Sequence, residues 1–534
     1  MIEKVVIHGY RKFRDLTFIP HPHFNVLVGG NESGKSTLLE AMVLALTGRI
    51  NGRAAAEGLN PYWFNKDDVS AFFAALATGQ TPPLPTISIE VFLADRDEFQ
   101  RWLFGANNSE EPTKDCAGLC LKVEPDPDYT TEIWAYLRSA TGSILPVEYY
   151  QIGWRSFSDT VLTRRPKELV TAVIDSESVR STNGVDYYLR SILKDRLSAS
   201  ERASVSLAFR SVKEKMTAED LKDVNGELAG LEGTLDHATI SLAMDQSAQG
   251  AWDASVVPHV ATVPFGMAGQ GQQAVVKTVL AMGRQANAGV VMIEEPDNHL
   301  SHTSLNWLLS QIGSLAGQEQ QVFVTTHSSF VLNRLGLDNL QLVNDGRVTG
   351  FGTLSSDTVE FFQKQAGFDT LRMVLAEKAV LVEGPSDEML FERFFIDVAG
   401  HRPIEEGVDV ISMRGLSLKR GLELARATGK KCAVLRDNDG VDPAIIIGDI
   451  DPVLLDSDRQ VFIGDVANGT TLEPQVITAN GEARLRVVFG LKDTQTLLRW
   501  MTSNKTDAAL QLLETTERVT APEYFTEAIE FIRG

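Results

Sequence analysis

The chain of 534 residues has only three cysteines, Cys116, Cys120 and Cys432. That is too few, and odd in number, for a disulfide framework, so a reducing compartment, the cytoplasm, is expected. Cys116-x-x-x-Cys120 has no partner pair and no nearby histidine cluster, so a structural zinc is not expected. No stretch reaches the roughly 18 consecutive apolar residues of a membrane span. Met1-Ile2-Glu3-Lys4 opens no signal-peptide pattern either, and no membrane partner is expected. Internal repeats and low-complexity tracts are missing. Positive charge is also short: 50 Lys and Arg stand against 71 Asp and Glu, a formal net charge of −21. This argues against a generally basic nucleic-acid binder. A local basic groove stays open, because exposed charges are screened beyond about 10 Å. Part of the acid excess can instead serve as metal ligands.

Against these absences stands one well-formed motif. Phe24-Asn25-Val26-Leu27-Val28 reads as an apolar strand, and Gly29-Gly30-Asn31-Glu32-Ser33-Gly34-Lys35-Ser36-Thr37 follows it. Leu38, Leu39, Met42 and Leu46 then mark the apolar face of a helix. Gly29-x-x-x-x-Gly34-Lys35-Ser36 is a complete phosphate-loop pattern. Its glycines let backbone N–H groups, including those around Asn31 and Thr37, converge on phosphate oxygens at a helix N-terminus. Lys35 would reach the β- and γ-phosphates of ATP, and Ser36 would ligate Mg²⁺.

Around this motif, residues 2 to 20 read as two short strands flanking Gly9 to Phe13. Further strands are expected at Ile87–Leu93, Leu119–Val123 and Ile133–Leu137, in a mixed sheet around the nucleotide. From Lys167 to about Ala248 the chain is charged, with helical spacing and no evident strand. A helix start is expected at Thr217-Ala218-Glu219-Asp220. This region reads as a helical insertion, a dimerisation arm or simply a helical subdomain. Strand–helix alternation returns near Val256 and continues to about Phe351. A helical connector spans Thr358 to Leu375, and a final α/β unit begins at Lys378.

Two more constellations carry chemistry. Gly289-Val290-Val291-Met292-Ile293-Glu294-Glu295-Pro296 is an apolar strand ending in two carboxylates, a Walker B pattern. Glu294 would hold the Mg²⁺ shell, and Glu295 would orient and deprotonate the attacking water. In the last unit, Val380-Leu381-Val382 runs into Glu383-Gly384-Pro385-Ser386-Asp387. A second strand, Lys431 to Leu435, runs into Arg436-Asp437-Asn438-Asp439. Both place acids at the C-terminal edge of strands, where ligands gather in open α/β sheets. Asp437 and Asp439, two apart, would face the same way in extended chain. Close carboxylates repel unless cations neutralise them, and Mg²⁺ or Mn²⁺ suits an all-oxygen site. Glu473 and Lys505 lie in two later candidate segments. Arg414, Lys419, Arg420, Lys430, Lys431 and the run Arg164-Arg165-Pro166-Lys167 are the basic candidates for a DNA surface.

The order of phosphate loop, Gly266-Met267-Ala268-Gly269-Gln270-Gly271-Gln272, Walker B strand and Val322-Phe323-Val324-Thr325-Thr326-His327 resembles the ABC-type ATPases of the RecF, Rad50 and SMC branch. By that resemblance Gly269, Gly271 and Gln272 would meet the γ-phosphate held by a second subunit. His327 would be the switch histidine, with Asn298 and His299 in the D-loop. Glu294 replaces the usual Asp, and the signature departs from Leu-Ser-Gly-Gly-Gln, so slow or regulated hydrolysis is expected. Glu383-Gly-Pro-Ser-Asp387 with Asp437-Asn-Asp439 resembles the Toprim domain. Together the two parts resemble the OLD (overcoming lysogenisation defect) family, the Gabija-type nuclease branch most of all.

The resemblance implies an α/β chain: an ABC-type ATPase head of mixed sheets and helices with a helical insertion, then a C-terminal Toprim domain. The expected boundaries are 1–157 and 251–356 for the head, 158–250 for the insertion, 357–376 for the connector and 377–534 for Toprim. It further implies an ATP-regulated DNA endonuclease in antiphage defence or DNA processing. Glu383 and Asp387 would bind one metal, Asp437 and Asp439 would bind the other or bridge, and Glu473 would complete the site. Lys505 would stabilise the scissile phosphate. The implied partners are DNA, further copies in a homodimer or larger oligomer, and a helicase or defence protein. The competing expectation is a RecF- or SMC-like repair clamp whose Toprim domain does not cut.

Overall fold

In a computed structural model, the chain is described except at residues 51, 96–100, 140–142, 167–168, 176–196, 230–240, 247–251, 253–258, 261, 283–288, 299, 316–319, 329–330, 332–334, 336–338, 345, 351–353, 365–367, 414–417 and 493–494. It forms two compact units, residues 1–25 with 34–326 and residues 26–33 with 327–534. No helix among the described residues is long and apolar enough to cross a membrane.

The first unit opens with strands β1 (Ile2–Tyr10) and β2 (Phe13–Phe18). The phosphate-loop strand β3 (Phe24–Val28) follows, and then helix α1 (Lys35–Thr47). Strands β4 (Ile87–Leu93), β5 (Phe104–Gly105) and β6 (Cys116–Pro125) form a sheet in the order β2-β1-β4-β6-β5, and β7 (Tyr150–Ser156) pairs with β6. Every pairing in it is antiparallel, for example Val5 opposite Phe18 and Val91, and Ile89 opposite Leu121. The expected mixed sheet is therefore absent from these strands, which return through short connections. Alternating residues such as Val5, Ile7, Ile89 and Val91 are fully buried.

One expected strand is a helix. Thr130–Ser139 forms α2, with Ile133 and Leu137 buried. Four residues apart, they share a helical face, and a turn capped by Asp126 leads into them. The charged region also departs from expectation. Thr171–Asp175 is a strand, β8, although no strand is legible there. It pairs in parallel with β9 (Val290–Glu294), Ala172 opposite Val291, and β9 pairs in parallel with β10 (Gln321–Thr326). Covered on its neighbours' side, this short strand shows no polar alternation to read. The insertion helix α3 (Ala199–Lys215) starts at Ser198, whose hydroxyl accepts from Glu201 N–H while the Glu201 carboxylate accepts from Ser198 N–H. Thr217 starts nothing. Its hydroxyl donates back to the Lys213 carbonyl, and the helix continues through it as a π-turn over Met216–Asp220.

In the second unit, β3 pairs in parallel with β11 (Leu340–Asn344), which pairs antiparallel with β12 (Arg347–Gly350). The connector consists of α4 (Ser356–Lys364) and α5 (Phe368–Leu375). After it, β13 (Lys378–Val382), β14 (Val408–Ser412), β15 (Lys431–Arg436) and β16 (Arg459–Ile463) form an all-parallel sheet in the order β14-β13-β15-β16. Its core packs Val380, Val382 and Leu435 against Phe391 and Phe394 of α6 (Pro385–Ala399) and Phe525 and Ile529 of α7 (Glu523–Arg533). Arg393, 7% exposed, gives guanidinium N–H groups to the Leu512, Leu513, Thr515 and Glu517 carbonyls, closing a helix end that would otherwise be bare.

Candidate active site

The phosphate loop takes its form from steric demand. A Cβ on Gly29 would collide with Ser33 Oγ and the Val343 carbonyl oxygen. Gly34, at φ 109°, caps α1 in a left-handed conformation. Ser33 Oγ is buried with no hydrogen-bond partner among the described residues, an unused polar atom inside the loop. Asn31 and Ser36 are exposed and Thr37 is half-buried. Lys35 is 5% exposed; burial lowers its pKa, and the Glu295 and Glu294 carboxylates oppose that shift. The Walker B acids thus lie within electrostatic reach of the phosphate-loop lysine.

Glu295 sits at φ 43°, a left-handed conformation unusual for a residue with a side chain. Its N–H donates to both the carbonyl and hydroxyl oxygens of Thr325, each at 3.1 Å. Its carboxylate accepts from Asn298 Nδ2 at 2.8 Å. Thr326 Oγ1 donates to Asp297 at 2.9 Å. The turn after β9 is therefore held by the end of β10. Gly269 and Gln272 are exposed and Gly271 half-exposed where helix Gln270–Met282 begins. Gln273 braces that start through Nε2 to the Ala268 carbonyl at 2.8 Å. His327 follows β10, half-buried, and His299 lies outside the described residues.

The second constellation assembles around the C-terminal edge of the parallel sheet. Glu383 leaves β13 and Asp437 leaves β15, and Asp437 N–H donates to Glu383 Oε1 at 3.1 Å. Asp387 stands in the first turn of α6, where Gly384 N–H donates to its carboxylate at 3.1 Å. Glu473, 5% exposed, accepts from Thr471 Oγ1 at 2.8 Å and pairs with Lys505 Nζ at 3.1 Å. Arg436 approaches Glu383 at 3.9 Å.

The electrostatics follow from crowding. Burial pushes the Asp437 carboxyl up to about 8, with Glu383, Asp387 and Glu473 adding repulsion and Lys505 opposing it. Burial and the charges of Glu383 and Glu473 push Asp387 up to about 6. Glu383 is raised by burial and by Asp439, against the Asp437 N–H, Arg436 and Lys505. For Lys505, burial lowers the pKa, but its bond to Glu473 and the Asp437 and Asp387 charges outweigh that and raise it.

Asp437 and Asp439 do not share a strand face. The strand ends at Arg436, and Asp439 lies beyond it in a turn, exposed and at φ 50°, with its charge still felt at Glu383. The turn is locked by Asn438, 1% exposed, whose Nδ2 donates to the Gly464 and Gly469 carbonyls, both at 2.8 Å. Its Oδ1 accepts from Gly440 N–H at 2.8 Å. Sequence reasoning also missed Tyr524 on α7. It is 4% exposed, and its phenol is raised by burial and by the fields of Asp437, Asp387, Glu383 and Glu473. Only the alternating apolar face of the last helix hints at it.

Several basic candidates have other employment. Arg420 pairs with Asp357 at 2.6 Å and stacks on Phe361. Lys430 donates to the Ala376 carbonyl, and Lys431 sits over the Phe531 ring. Lys419 lies 3.9 Å from Glu423. Arg164 is exposed and Arg165 half-buried, while Arg414 and Lys167 lie outside the described residues.

Does this acid set suit a divalent metal? Its donors are all oxygen, and its buried carboxyls lack enough neighbouring positive charge to ionise together, as a cation site requires. Among the described residues no group of three His, Cys, Asp or Glu side chains is already arranged to hold an ion.

Comparison with known proteins follows the same division. A family model for the Toprim domain of overcoming-lysogenization-defect-like proteins matches residues 374–439. One AAA-domain model matches residues 4–102 and another 180–333, which implies ATP binding. The DNA replication and repair protein RecF of Desulforamulus reducens is 38% identical over 47 residues, 9% of this chain and 13% of that protein. The chain thus matches only a small part of that relative's length. The C-terminal region of the Burkholderia pseudomallei OLD protein is 20% identical, covering 30% of this chain and 98% of that one at a TM-score of 0.25. RecF bound to ATP is 11% identical, covering 65% and 96% at a TM-score of 0.30. The matched models thus divide the chain as its sequence does, with AAA-type ATPase domains in its first part and an OLD-like Toprim domain beginning at residue 374.

Proposed function

We propose that this protein is an ATP-regulated, metal-dependent DNA endonuclease. The observation that carries the reading is the gathering of Glu383, Asp387, Asp437 and Glu473 with Lys505 at one sheet edge. Four carboxyls in one partly buried place destabilise each other unless positive charge joins them. Glu383, Asp387, Asp437, Asp439 and Glu473 would hold Mg²⁺ or Mn²⁺. Two such ions would supply an activated water and support for the leaving oxygen. Lys505 offers its ammonium to a phosphate oxygen, and its bond to Glu473 holds it charged and in place. Arg436, beside Glu383 at the same sheet edge, is placed for a further phosphate contact on this reading.

At the nucleotide site, Lys35, Ser36 and Glu294 bind ATP and its metal, and Glu295 orients water. The exposed start of the signature helix, Gly269 to Gln272, suits engagement of ATP on a second copy, so a homodimer or larger assembly follows. Antiphage defence, a partner helicase and a Gabija-type affiliation belong to the same proposal. Incubating purified protein with supercoiled plasmid, Mg²⁺ or Mn²⁺, and ATP tests it. Cleavage is expected, and Asp437→Ala is expected to abolish it while leaving ATP binding intact. Cleavage that persists in the purified variant overturns the assignment. A non-cutting RecF- or SMC-like clamp is the second reading, favoured by the lack of a preformed metal trio among the described residues. No cleavage under any metal, with ATP-dependent DNA retention, would select it.

A further inference from the structure

Tyr524 also lines a cleft of about 760 Å³. Asp442, Asp465, Glu523 and Glu527 line it, together with Tyr524 and Val466, and no basic side chain does. Asp442 and Asp465 each spend one oxygen capping a turn, on Ala444 N–H at 2.9 Å and Ala467 N–H at 2.8 Å. Glu523 and Glu527 are exposed one helical turn apart, an arrangement that disfavours the helix unless a cation sits between them. The rim is apolar. Val466 of the lining is 37% exposed, and Val441 and Ile445, next in sequence to the lining residues Gly440, Asp442 and Ala444, are 41% and 58% exposed, more aliphatic surface than a solvated acidic face needs.

The surrounding sequence deepens the charge bias. Beyond the proposed nuclease acids, residues 442 to 465 contain six acids and one base, Arg459, which is itself bonded to Asp456. A nucleic-acid backbone would be repelled here, since its binding depends on neutralising phosphates. A solvated acidic loop would account for the charge but not for the aliphatic rim. We propose that this cleft and its rim dock a partner protein through a basic amphipathic segment. Its Lys or Arg heads lie against Glu523, Glu527, Asp442 and Asp465, and its apolar side chains cover Val441, Ile445 and Val466. Charge complementarity selects such a partner and steers its approach. The inference stands apart from nuclease activity, because it needs neither metal nor cleavage.

Binding of a labelled Leu–Lys amphipathic peptide to the full-length protein, followed by fluorescence anisotropy, tests it. Glu523→Gln/Glu527→Gln is expected to weaken binding about tenfold or more. It removes a like-charge pair from the surface, so folding should not suffer. Ile445→Ser should weaken binding independently of salt. The control pair Asp128→Asn/Glu132→Gln, exposed acids of the other unit, should leave affinity unchanged. Equal loss in the control pair, or no loss in the cleft variants, would overturn the proposal.

Discussion

At the scale of single residues, the second site is a balance between carboxyls that repel and a turn that forces them together. Asn438 is the clearest case. Its amide serves two carbonyls and one N–H at once, while burial removes any competing water. Asn438→Ala leaves those groups bare, at a cost of about 1–3 kcal/mol. A lowered melting temperature with Asp439 still present is expected, measured by thermal unfolding; an unchanged melting temperature would refute it. The raised carboxyls make a second prediction. Asp387 and Asp437 bind protons more tightly folded than unfolded, at about 6 and about 8 against an ordinary value near 4. Their contribution to stability is therefore complete below about pH 4 and is lost as pH rises through 6 and then 8. Melting temperature should fall across that window without divalent metal, and Mg²⁺ should restore more of it at the alkaline end. Asp437→Asn should flatten the slope; the same slope in that variant would sink the linkage.

Elements show where local patterns suffice and where they do not. The phosphate loop is legible because its glycines answer to nearby atoms. Gly29→Ala would drive a methyl into Ser33 Oγ and the Val343 carbonyl. Loss of ATP binding, measured by nucleotide fluorescence, is expected. Retained affinity would mean that the loop yields more easily than its packing indicates. Helix α2 was open to misreading because Ile133, Trp134 and Leu137 suit either period over so short a run. Strand β8 was hidden because a short strand beside a parallel neighbour needs no alternation, and its partner lies more than a hundred residues away. The true start of α3 was legible in Ser198-x-x-Glu201, a capping-box pattern; Thr217 offered a similar pattern mid-helix, where its hydroxyl turned inward.

For the whole molecule, the proposed function joins nucleotide occupancy to assembly. The signature turn at Gly269 to Gln272 is exposed, and the Walker B turn positions Glu295 beside Asn298. If Glu295 activates the attacking water, Glu295→Gln should bind ATP and not turn it over, so the ATP-bound assembly should accumulate. Light scattering with and without ATP is expected to show an ATP-dependent rise in mass, larger for this variant than for the parent. No change in mass with bound ATP would separate nucleotide binding from assembly and remove the trans engagement of the signature.

The sequence alone determined the Gly-rich loop between strand and helix, the strands that end in acids, and the order of the ATPase and Toprim domains. Each is a short-range pattern, in which a strand, a turn residue and a charged side chain lie within a few positions of one another. Tertiary structure alone decided that Glu473 and Lys505 form a pair within reach of Asp437, and that Tyr524 closes the cluster. It also decided that Arg420, Lys430 and Lys431 serve the fold. Those outcomes depend on segments tens to more than a hundred residues apart packing on one sheet edge, and on burial, which sets whether a charge is solvated, paired or suppressed.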